Sequence, residues 1–182
     1  MNNEIERSEP CKLFEVVICT GDRVFTGSLN CEFEQRLIDA VNEGVPVGAS
    51  SRGVDFISLL NVDVWDKKGN KSYFQSLYIS KNNIIFIAQV AGGVVEKRVI
   101  GYPYREKVPV KVQVYATPYI LSGQMYCETW GELGDTIESE VSFLPLTKVE
   151  IAPTLPGGRS KFDFAAINKH QVNFICEIDG QV

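Results

Sequence analysis

The chain has 182 residues, with 18 Lys and Arg against 23 Asp and Glu and a formal charge of −5. That length holds one domain or two small ones, and 45% hydrophobic with 23% charged residues is a globular composition, neither disordered nor fibrous. A pI near 5.0 disfavours a broadly basic nucleic-acid binder.

Residues 1–10 read as a polar arm; the acids at Glu4 and Glu6 are foreign to a secretory signal. From Phe14 the pattern alternates: Phe14, Val16 and Ile18 against Glu15, Val17 and Cys19, which predicts a strand buried on one face. The turn Thr20-Gly21-Asp22 leads into a second strand over Val24–Asn30, where Gly27 suggests a bend or bulge. Leu37, Ile38 and Val41 then place a stripe on a short helix from Glu34 to Glu43, with Gly44 as its cap. The stretch from Gly48 to Gly53 reads as a flexible loop. Strands follow at Phe56–Trp65, Tyr73–Ile79 and Ile84–Ala88.

The whole series then repeats. Phe14 to Cys31 lies on Val110 to Cys127 without a gap, placing Gly27 on Gly123, and the register runs on through Leu37/Leu133, Asp39/Asp135 and Val41/Ile137. The second copy lacks the stretch around Val47 to Asp55. Pairing resumes with Phe56–Val64 over Phe143–Ile151 and closes with Ser80–Ile87 over Asn168–Ile175. Thr117-Pro118 takes the place of the first turn. Strands are predicted at Ile120–Tyr126, Phe143–Ala152, Phe162–Ile167 and Val172–Glu177, with Trp130, Leu133 and Ile137 as the helical stripe. Five short strands in a unit of about 75 residues is the arithmetic of a small barrel. The division is an arm at 1–10, a first barrel at 11–91, a linker at 92–109 and a second barrel at 110–182.

The segment Leu77 to Ile87 resembles the second signature of Sm-like proteins, two apolar strands joined by a tight basic turn, and Val16 through Leu29 is similar to the first signature. The resemblance implies a mainly β fold of two tandem, strongly bent five-stranded barrels, Sm-like or more generally SH3-like, each with one short helix. Three departures accompany it. The helix follows the second strand instead of preceding the first. Ser80-Lys81 and Asn168-Lys169 stand where the family has Arg-Gly, and no acid–Asn base-reading pair occurs near Leu59 to Asn61 or Leu146 to Lys148.

No apolar stretch reaches the roughly 18 residues of a membrane helix, since Gln89, Gly92 and Gly93 interrupt the run from Ile84 to Val95. The five cysteines form no C-x-x-C pair, and their odd number without a secretory signal predicts reduced thiols and a cytoplasmic protein. No cofactor and no metal is expected. Nor is an enzyme: the sole histidine, His170, aligns with Asn82 at an inter-strand turn, and Asp39 and Asp135 read as helical acids. The expected function is a scaffold or assembly module that forms a homo-oligomer, or docks a protein partner, through strand edges. Leu77, Ile79, Ile85, Ile87, Ile167 and Phe174 are the candidate edge residues. RNA binding is the alternative. It would use the turns Lys81, Asn82, Asn83 and Asn168, Lys169, His170, with Tyr78, Tyr115, Tyr119 and Trp130 as stacking candidates, against the acidic pI.

Overall fold

A computed structural model describes residues 11–32, 35–47, 50–52, 55–91 and 107–178. The expected arm at 1–10 and most of the expected linker lie outside these. The chain is mainly β, in the order β1 (Cys11–Thr20), β2 (Arg23–Glu32), α1 (Leu37–Glu43), β3 (Val45–Val47), β4 (Ser50–Arg52), β5 (Phe56–Asp66), β6 (Lys71–Ser80) and β7 (Ile84–Ala91). The second series is β8 (Lys107–Ala116), β9 (Tyr119–Glu128), α2 (Leu133–Ile137), β10 (Phe143–Ala152), β11 (Lys161–Asn168) and β12 (Phe174–Glu177). A 3-10 turn joins the last two strands of each series, at Lys81–Asn83 and Lys169–Gln171. The stretch expected to be a flexible loop, Gly48 to Gly53, contains β4, which pairs with β3 just ahead of it from Val45↔Arg52 to Val47↔Ser50.

Ten strands form one open antiparallel sheet in the order β12-β8-β9-β10-β11-β7-β1-β2-β5-β6. The first five and the last five follow the same permutation, with the last strand of each series pairing with its first. The two halves join where β11 pairs with β7, and the sheet ends at β6 and β12. Equivalent residues also share their irregularities. Asn61 and Lys148, which align, both take φ of 51°. The ladder slips beside Gly27, between Thr26 and Ser28, and beside Gly123, between Gln124 and Ser122. A Cβ on Gly27 would stand 2.9 Å from the Leu60 carbonyl oxygen, and one on Gly123 2.7 Å from that of Thr147. Glycine is required at both because the neighbouring backbone occupies the space of a side chain.

The core is shared across the junction. One cluster gathers Phe14, Val16, Ile18 and Leu59 of the first half with Phe143 and Ala166 of the second. The other joins Val112, Leu121, Leu144 and Ile167 to Val17, Cys19, Phe86 and Ala88. β1 is therefore buried on both faces, where alternation predicted one: Val17 and Cys19 are 4% and 0% exposed because the second half covers them. The continuous run Ile84–Ala88 is buried throughout for the same reason, as a two-faced strand should be. Trp130, expected on the helical stripe, is 99% exposed in a turn ahead of α2; only Leu133 and Ile137 pack inward. Two glycines, Gly131 and Gly134, bracket the start of this helix and leave it five residues long.

Candidate functional site

The junction is short and closely held. Ala165, Ala166 and Ile167 of β11 face Ala88, Ile87 and Phe86 of β7. Ile167, Phe86 and Ile87 are all fully buried. Side-chain clasps flank the ladder. Asn42, on α1, donates from Nδ2 to the Phe143 carbonyl at 3.0 Å and accepts the Phe143 N–H at Oδ1 at 2.8 Å. Asn168, 3% exposed, donates to the carbonyls of Lys81 at 3.0 Å and Ile84 at 2.9 Å. Gln171 donates to the Asn82 carbonyl at 2.6 Å. Tyr119 covers the other side, its ring edge-on to Phe86 at 5.2 Å. The tyrosine also hydrogen-bonds the Cys19 thiol; burial drives the thiol's pKa far up, which makes it an inert core group.

Of the candidate edge residues, Ile87 and Ile167 belong to this ladder, and Ile85 is buried beside it in the second core. Leu77 and Ile79 stand on β6, at one end of the sheet, and Phe174 on β12, at the other. Ile79 is buried in the first core at 6% exposed, with Leu77 packed against it, but the outward residues of those ends are exposed where their equivalents are covered. Tyr78 is 74% exposed against 0% for Ala166, Phe74 48% against 8% for Phe162, and Phe174 54% against 0% for Phe86. Phe174 stacks on Tyr115 with ring centroids 4.1 Å apart.

The junction brings the two candidate nucleic-acid turns side by side, through the Asn168 and Gln171 bonds to the first turn. Asn82, Asn83 and His170 are exposed there. The lysines are held differently. Lys81 is 9% exposed, and burial lowers its pKa with Asp55 acting weakly against that. The Lys169 ammonium donates to the Ser139 carbonyl. Both backbones are fixed as well: Lys81 N–H donates to the Asp55 carbonyl at 2.8 Å and Lys169 N–H to that of Ser142 at 2.9 Å. Of the aromatic candidates, Tyr78 and Trp130 are exposed, Tyr115 stacks on Phe174, and Tyr119 is part of the core.

The recurring acids are occupied locally. Asp39 forms a two-pronged ion pair with Arg36 at 2.7 Å, which raises the guanidinium pKa. Asp135 accepts the Glu132 N–H at 2.9 Å, at the start of α2. Among the described residues, no group of three His, Cys, Asp or Glu side chains is placed to hold a metal. An open groove of about 600 Å³ runs beside the junction, lined by Gln89, Lys148, Glu150, Arg159, Lys161 and Asp163. Its charges are of both signs, and its Lys161–Glu150 pair, at 3.8 Å, is solvent-exposed. No helix of the described residues is long and apolar enough to cross a membrane.

Sequence patterning found the strands and the turns but not the Asn42 clasp or the Tyr115–Phe174 stack. A helical asparagine carries no signal of a bond to a distant backbone. Comparison with protein-family models, curated proteins and solved structures finds no match for this chain.

Proposed function

We propose that the protein is a non-enzymatic assembly module that associates with copies of itself through the free strand edges of two tandem Sm-like units, building a ring of even unit number. The observation that carries this reading is the internal junction. Of the five strands each half gives the large sheet, the fourth of one half (β11) pairs with the fifth of the other (β7), and among the described residues their counterparts, β6 and β12, end the sheet with one edge unpaired. Unpaired edges with exposed apolar side chains are templates for further strands, and a contact between unlike edges closes into a ring or extends as a fibre. Among the described residues the two ends lie at opposite limits of the sheet and neither reaches the other, so a second copy is the partner that offers each its complement.

Multi-angle light scattering on the purified protein, with the 260/280 nm absorbance ratio read across the peak, tests this. A discrete assembly larger than one chain, free of nucleic acid, is the expected result. A monomer at all concentrations would defeat the proposal. Co-purifying RNA would move the function to the paired turns at Lys81 and Lys169.

A further inference from the structure

In the ten-stranded sheet the five strands of one half correspond in order to the five of the other, so the internal junction is a template for a contact between the sheet ends. Aligning Ser80–Ile87 with Asn168–Ile175 carries Ala165↔Ala88, Ala166↔Ile87 and Ile167↔Phe86 onto Leu77↔Cys176, Tyr78↔Ile175 and Ile79↔Phe174. The exposures agree with that mapping: Tyr78, Phe174 and Cys176 are exposed where Ala166, Phe86 and Ala88 are buried, and Ile79 points into the core as Ile167 does.

The clasps do not carry over intact. Ser80 stands where Asn168 stands, so an amide bonded to two carbonyls becomes a single hydroxyl. Glu138 follows Ile137 as Asn42 follows Val41. A carboxylate there accepts the Phe56 N–H but has no hydrogen for the Phe56 carbonyl. Asn83 replaces the longer Gln171. On the aromatic side, Arg23, exposed and 3.5 Å from the Asp22 carboxylate, occupies the position of Tyr119 at the β1–β2 turn, and the surface that corresponds to Phe86 is the exposed ring of Phe174 stacked on the half-buried Tyr115. A guanidinium over an aromatic face is a favourable replacement, and at an exposed site a modest one.

We propose, building on the assembly reading above, that β6 of one copy docks on β12 of a second copy in the register of the internal junction, with Arg23 over the Tyr115–Phe174 stack. Its polar clasps are fewer than those inside the chain, so the contact is reversible on dilution while the internal one is permanent.

The register is read by disulfide trapping. Directly opposed antiparallel residues have the Cα separation a disulfide needs, and Cys176 is already exposed on β12. In a Cys11→Ser background, Leu77→Cys gives a disulfide-linked species larger than one chain under mild oxidation, lost when Cys176 is also changed to Ser. Ser76→Cys, one residue off and turned to the other face, gives little. The clasp is read by affinity. Ser80→Asn, which restores the amide, lowers the dissociation constant for assembly about tenfold, one hydrogen bond's worth, and Arg23→Ala raises it several-fold. Assembly by light scattering without trapping at Leu77 overturns the register and leaves the assembly reading standing. An unchanged constant in Ser80→Asn overturns the clasp argument. A protein that never assembles overturns both.

Discussion

At the scale of single residues, Gly27 and Gly123 show how much a sequence discloses when the cause is local. Both occupy the same place in a repeated strand, and a bend there was legible from that alone. Why it must be glycine is visible only in three dimensions, where the carbonyls of Leu60 and Thr147 close on the missing Cβ. Gly123 is the tighter of the two, with Leu146 Cγ also 2.7 Å from the added atom. Gly123→Ala is therefore expected to destabilise the fold by about 2 kcal/mol, read as a lowered urea midpoint, in the range of overpacked sites. A variant as stable as the parent would mean that the bulge accommodates a side chain. Lys81 is the opposite case. Its place at a turn was legible, but its burial beside Asp55 was not, because a turn residue is exposed unless another part of the chain folds over it.

At the scale of elements, strand boundaries followed alternation closely, while burial did not. Alternation in β1 describes a strand facing one core, and β1 faces two. The second face is supplied by residues far along the chain, which no local window contains. The apolar run of β7 did carry that information, since five consecutive buried residues fit a strand covered on both sides. Its partner in the repeat, β12, is only four residues long and mostly exposed. The contrast predicts opposite phenotypes for aligned phenylalanines. Phe86→Ala opens a void in the core at the junction and is expected to cost about 3–5 kcal/mol in urea unfolding. Phe174→Ala removes a half-exposed ring and its stack on Tyr115 and is expected to cost only about 1 kcal/mol in urea unfolding, while assembly read by light scattering is expected to weaken. Equal destabilisation by the two would show that β12 is as integral to the single chain as β7.

At the scale of the whole molecule, the repeat suggested two units in series, and the structure makes them one sheet with interlocked cores. Phe143 and Ala166 belong to the first half's core, and Val17, Cys19 and Phe86 to the second's. Neither half keeps its apolar interior without the other, because removing one exposes the outer faces of β1 and β7 or uncovers β11. Small units bury a modest core to begin with, so the shared surface is a large fraction of what each half has. Cooperativity follows from that sharing. Urea denaturation of the full chain is expected to give one transition, coincident by tryptophan fluorescence, which follows Trp65 beside β2 because Trp130 is already 99% exposed, and by far-ultraviolet circular dichroism, which follows both halves. Two separated transitions would mean that the halves are stable alone and that the junction is an interface between finished domains. The distinction bears on assembly. A junction required for folding is present in every folded molecule, so among the described residues the edges that the ten-stranded sheet leaves for exchange between molecules are β6 and β12.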